Sequence, residues 1–271
     1  MTYSIVARDP ETGELGVAVQ TGTFGVGTGV PWAEAGVGAV ATQSITDHSY
    51  GPFGLELMKA GRSAEQALAG LVAADPKQRF RQVGMVDASG RTAAHTGDGC
   101  IRDCGHQVGD GYTVQANMMA RDTLWPAMAA AYEAASGTLP RRLLAALEAA
   151  EAEGGDFRGA QSAAILVVKG EPTGFAWKGR VSNLRVDDHV DPVGELRRLL
   201  DLEEDYRADR PDHLRDVAKH WIAAEQAARD GDPDRARKLL QPLFDAHPNW
   251  RDAVRAAGEY GNFPGWEQVL D

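Results

Sequence analysis

Two short apolar runs open the chain, residues 3–8 and 15–21, rich in valine, alanine and isoleucine. Between them lies Asp9-Pro10-Glu11-Thr12-Gly13-Glu14, a cluster of turn formers, so the pair predicts a β-hairpin. Residues 36–43 (GVGAVATQ) predict a third buried strand, reached through a connection at Pro31–Ala35. The intervening loop carries glycines at 22, 25, 27 and 29 and suits close backbone approach. It is not read as a phosphate loop, because no Lys-Ser/Thr follows and no helix starts there. Helical periodicity begins at Pro52–Ala60 and resumes at Ser63, an N-cap with Gln66 placed to complete a capping box. Residues 81–88 and 91–96 predict a hairpin about Ser89-Gly90, and 112–118 another strand. Two Ala/Leu-rich helices follow at about 122–136 and at 139–152. Residues 162–169 form a continuous apolar run, with shorter strand candidates at 175–178 and 184–186.

Helices paired between runs of hairpin-linked strands predict an α+β fold of mostly antiparallel sheets. Two sheets packed face to face, each covered by helices, fit the order. From Asp191, an N-cap candidate, the pattern is helical through Leu200, then charged over 201–210. Helices are predicted at 213–229, 234–246 and 250–260, and the small-residue pattern across them resembles one tetratricopeptide-like hairpin. A single hairpin of that kind does not bury its own apolar face, so docking onto the main domain or a second chain is expected. The expected division is residues 1–205 and 206–271.

Net charge is −11 with pI ≈ 5.1, and no basic stripe stands out. Nucleic acid and anionic membrane are therefore not expected partners. No apolar run is long enough to span a bilayer and no signal-peptide pattern is visible, so a cytoplasmic location is expected. Cys100 and Cys104, with His95 and His106 nearby, are too few for a structural zinc site; a local disulfide or two free thiols are the alternatives.

The chemistry is concentrated at the head of the first strand. Thr2 is small enough to allow removal of Met1, which would leave a hydroxyl and a free α-amine on one residue. That amine is among the few groups able to take a hydroxyl proton at neutral pH. The alternative is an ordinary first strand.

The segments Thr2-Tyr3-Ser4-Ile5-Val6-Ala7-Arg8-Asp9-Pro10, Val30-Pro31-Trp32, Ala35–Gln43, Ser49-Tyr50-Gly51-Pro52, Gly111–Asn117, Gln161-Ser162-Ala163-Ala164 and Leu184–His189 resemble a bacterial family known as domain of unknown function 1028. The likeness spans roughly residues 2–200. That family is grouped with the N-terminal-nucleophile (Ntn) hydrolases, which implies a four-layer αββα sandwich and amide hydrolysis by the first residue of the first strand. Carried onto this chain, the nucleophile is Thr2; Ser4, on the same face by strand alternation, is its rival. The likeness to penicillin-acylase-like members makes Asn117 the oxyanion donor. Gln20 and Gln43, each ending a predicted strand, are candidates to orient the nucleophile or bond the substrate amide. Proteasome-like members carry an acid and a lysine at the corresponding places; here stand Gln20 and the lysine-free run 36–43. Gln161 and Ser162 are candidate substrate contacts. Asp187, Asp188 and His189 form an ionisable cluster suited to positioning the Thr2 amine or binding a cationic substrate group, or else simply a turn into the next helix. A Ser162–His106–Asp188 triad lacks a nucleophile elbow and is set aside.

The expectation is a hydrolase of a small-molecule amide, with no cofactor and no metal. The rival is a binding or assembly module that keeps the fold without catalysis. Trp221, Trp250 and Trp266 in the tail suggest a buried contact, hence a homo-oligomer.

Overall fold

The computed structural model describes residues 2–208 and 216–271. The removal of Met1 and the start of the helix expected from residue 213 lie outside the described residues. Contacts divide the chain into two units, Met1–Leu199 and Leu200–Asp271.

The described residues of the first unit form ten strands in two antiparallel sheets. The strands are β1 (Thr2–Arg8), β2 (Leu15–Thr21), β3 (Pro31–Glu34), β4 (Gly38–Ser44), β5 (Arg81–Asp87), β6 (Thr92–Thr96), β7 (Gly105–Gly109), β8 (Tyr112–Asn117), β9 (Ser162–Val168) and β10 (Arg180–Val186). One sheet runs β10-β9-β2-β1-β8-β7 and the other β3-β4-β5-β6. Helices α1 (Tyr50–Lys59) and α2 (Ala64–Ala74) pack on the four-stranded sheet, α3 (Leu124–Ala134) and α4 (Leu139–Ala152) on the six-stranded one. Helix α5 (Pro192–Arg207) contains the boundary between the units.

Alternation explains how the apolar strands serve two cores at once. Val6, Leu15, Val17 and Val19 meet Ala39, Ala41 and Val86 between the sheets. The neighbouring Val40, Val83 and Met85 turn outward onto Tyr50, Leu55 and Met58 of α1. With both faces covered, such strands read as nearly continuous apolar runs. Ser63 caps α2 as expected, bonding reciprocally with Gln66.

Four expectations are corrected. Residues 31–34 form an edge strand rather than a connection, with Pro31 at its first position where a missing N–H is tolerated. Residues 175–178 are not a strand, because Gly174 and Gly179 on either side adopt φ of 75° and 77°, which breaks extension. Strand β7, short and flanked by glycines, carried too weak an apolar signal to be anticipated.

The fourth correction concerns the tail, which is more than a lone hairpin. Helices α6 (Asp216–Arg229), α7 (Pro233–Ala246), α8 (Asn249–Tyr260) and α9 (Trp266–Leu270) share one apolar cluster. Phe263 and Val269, beyond the last predicted helix, are fully buried in it. Trp221 packs on Trp250 and Phe263 at 5.8 and 5.7 Å between ring centroids, so the tryptophans serve this unit's own core. No helix among the described residues is long and apolar enough to cross a membrane.

Candidate functional site

Between the sheets, at the head of β1, the apolar core gives way to amides. Thr2 and Ser4 point into this layer from β1, and Thr113, Gln115 and Asn117 join them from β8, because Thr2 pairs with Asn117 and Ser4 with Gln115. From the facing sheet come Gln43 and Gln82, themselves paired across β4 and β5. The Gln43 Nε2 group lies within donor distance of the Thr2 carbonyl (3.0 Å), Gln82 Oε1 (2.8 Å) and the Gln115 carbonyl (3.3 Å). Asn117 Nδ2 donates to Gln82 Oε1 at 2.8 Å and to the Thr2 carbonyl at 3.3 Å. The Ser4 hydroxyl accepts from Gln115 Nε2 (2.6 Å) and donates to Gln43 Oε1 (2.7 Å).

Gln43, Gln82, Gln115 and Asn117 are all essentially inaccessible to solvent. Buried amides are tolerable only when bonded, and here each side chain finds partners. None of these side chains titrates. The close approach depends on Gly84 of β5, where an added Cβ would lie 2.3 Å from Gln115 Oε1 and 2.5 Å from Thr113 Oγ1.

Thr2 itself is 6% exposed, at the rim of the network. Its hydroxyl donates to Thr21 Oγ1 at 3.2 Å. Beyond Thr21 the chain turns at Gly22, whose N–H is accepted by Asp156 Oδ2 at 2.9 Å. Arg158 grips that buried carboxylate at 2.8 Å and reaches Thr21 Oγ1 at 3.5 Å. A shallow cleft of about 450 Å³ opens past Gly22, lined by Arg158, Gln161, Asp188 and His189 among others.

The structure thus brings Thr2, Ser4, Gln43 and Asn117 together and gathers Gln161, Asp188 and His189 nearby. Gln161 Nε2 donates to Asp188 Oδ1 at 2.9 Å, and the Gln161 carbonyl accepts from the His189 N–H at 2.9 Å. Ser162 anchors the glycine loop instead, accepting from the Val26 N–H at 3.0 Å and donating to the Thr23 carbonyl at 2.5 Å. Asp187 holds Arg185 at 2.8 Å, and Asp191 accepts from the Gly194 N–H at 2.9 Å in the first turn of α5. His106 faces Thr96 Oγ1 at 2.8 Å.

Gln20 does not join the group. It pairs with Tyr3 rather than with Thr2, so alternation turns it to the opposite face, toward α4. There it is fully buried, and neither amide atom has a hydrogen-bond partner among the described residues. On the same face the Tyr3 hydroxyl donates to Glu151. Burial, with Asp191 and Asp156 nearby, raises the Glu151 carboxyl above its ordinary value. Cys100 and Cys104 are free thiols. Burial raises both, which keeps them protonated and poorly nucleophilic.

Sequence reasoning missed Gln82, Gln115 and Thr21. The first two left a signal, a long amide interrupting an otherwise apolar strand.

A family model described as "Family of unknown function (DUF1028)" matches residues 2–196. The crystal structure of protein SPO2555 from Silicibacter pomeroyi, described under the same family, aligns at 33% identity and a TM-score of 0.67. That alignment covers 74% of this chain and 88% of the other. Anbu (ancestral beta-subunit) from Yersinia bercovieri aligns at 9% identity and a TM-score of 0.36, over 79% of this chain and 99% of that one. No curated protein matches the sequence.

Proposed function

This chain belongs to the DUF1028 family of unknown function, and we propose that it is an amide hydrolase of the N-terminal-nucleophile type. On this proposal the two sheets and their helix pairs form a four-layer αββα sandwich, with a tetratricopeptide-like helical extension at the C-terminus. Once Met1 is removed, the Thr2 α-amine takes the proton of the Thr2 hydroxyl as Oγ1 attacks a substrate carbonyl. The amine then protonates the departing nitrogen, and water cleaves the resulting ester to release the acid.

One observation carries the reading. The Thr2 hydroxyl is held at 3.2 Å from Thr21 while its own carbonyl is fixed by two side-chain amides, Gln43 and Asn117. A hydroxyl so fixed is preorganised for attack. Asn117 Nδ2 serves as the oxyanion donor on this proposal, its 3.3 Å bond to the Thr2 carbonyl being the one a substrate oxygen would replace. On this proposal Gln161, Asp188 and His189, which line the cleft past Gly22, contact the rest of a small amide.

The test is a panel of acyl, cyclic and amino-acid amides read by amine or ammonia release. Thr2→Ala should lower turnover by about a thousandfold or more, with Thr2→Ser keeping part of it. Equal activity in Thr2→Ala would end the proposal. A non-catalytic module is the second reading, favoured by the absence of a titratable side chain in the amide network. Retention of Met1 in the purified protein would support it.

A further inference from the structure

The sandwich is closed along one side and open along the other. On the closed side, edge strands β6 and β7 meet through Thr96 and His106 at 2.8 Å, and Gln82 of β5 also donates to the Gly105 carbonyl of β7 at 3.1 Å. On the open side, edge strands β3 and β10 flank a cleft of about 670 Å³. Among the described residues each has one edge without a strand partner, where an extended chain can pair.

The walls of this cleft carry unlike charges that do not neutralise one another. Arg180 and Asn183 stand on β10, and Glu56 on α1, all three exposed. None of their side chains has a hydrogen bond or ion pair among the described residues. The other charges are already matched: Glu34 holds Lys59 at 2.7 Å, with Glu56 acting on that lysine only electrostatically, and Arg185 is clamped by Asp187 at 2.8 Å. Gly27 lets the Arg185 stem lie flat, since a Cβ there would come within 2.8 Å of it. Trp32, Leu55 and Leu166 supply the apolar part of the lining.

We propose that this cleft binds a short peptide with free termini. Its carboxylate meets Arg180 and Asn183, its ammonium group meets Glu56, and its side chains rest on Trp32 and Leu55. The volume suits a ligand larger than one amino acid. Opposite charges without an ion pair, one on β10 and one on α1, match a molecule charged at both ends. The unpaired sheet edges match its backbone. A simple anion would use only one wall. This site is separate from Thr2 and does not rest on the hydrolase reading.

Titration calorimetry of the full chain with the tripeptides Ala-Leu-Ala, Ala-Phe-Ala and Gly-Gly-Gly tests it. Saturable binding of at least one is expected. N-acetylation of that peptide and Glu56→Gln should each weaken binding about tenfold, without adding to one another. Amidation of its C-terminus and Arg180→Gln should form a second such pair. Thr2→Ala should leave the affinity unchanged, which separates this site from the catalytic proposal. The variants are at exposed positions, and an unaltered thermal transition shows that they fold. Absence of saturable heat with all three peptides, indifference to Arg180→Gln and Glu56→Gln, or displacement by inorganic phosphate would overturn the proposal.

Discussion

On the inter-sheet face of β1, Thr2 and Ser4 hydrogen-bond to hydroxyls and amides, whereas one residue along, on the helix face, Tyr3 meets the carboxyl of Glu151. Amides occur on both faces, with opposite outcomes. Gln43 and Gln82 are fully bonded between the sheets, while Gln20, equally buried, has no partner among the described residues on the helix side. A glutamine in a strand is thus neither polar decoration nor a site by itself. What decides its meaning is whether the facing layer offers partners, because an unbonded buried amide costs about 1–3 kcal/mol.

The comparison breaks most completely if Gln82 is removed. Gln82→Leu leaves amide hydrogens of Asn117 and Gln43 without their shared acceptor, and should cost about 2–5 kcal/mol in urea unfolding. Next in size is Gly84→Ala, which drives a methyl group into two buried, bonded side chains from the other sheet. A loss of about 1–3 kcal/mol is expected by the same measurement. The helix face predicts the opposite sign. Gln20→Leu removes an unbonded amide of similar volume and should stabilise the protein by about 1–2 kcal/mol, visible as a higher urea midpoint at unchanged slope.

The smallest effect is in pH dependence. Folding raises the Glu151 carboxyl above its ordinary value of 4.5, so in the window just above that value the folded state binds more protons than the unfolded one. Stability from this group is therefore full below 4.5 and falls as pH rises through the raised folded value. Glu151→Gln, which keeps an acceptor for Tyr3, should flatten thermal midpoint against pH across that window. It should gain on the parent chain above the window.

Much of this was legible in the sequence, for stated reasons. Alternation from Thr2 puts Ser4 on the same face, and the Ser63/Gln66 spacing marks the start of α2. The same alternation gave no purchase on Gln20, because its face depends on the hairpin register, and Tyr3 rather than Thr2 stands opposite it. The convergence of Gln43 with Gln82 and Asn117 joins strands far apart in sequence and depends on how two sheets meet. The core of the second unit was hidden because Phe263 and Val269 follow a turn past the last obvious helix.

Catalysis of the proposed kind requires a free Thr2 amine beside a hydroxyl able to attack a carbonyl. Peptide-mapping mass spectrometry of the full chain after treatment with a β-lactone tests this most directly. The predicted result is a chain lacking Met1 with one acyl group on Thr2, and no such adduct in Thr2→Ala. A chain that retains Met1, or that is acylated elsewhere but not at Thr2, would contradict it.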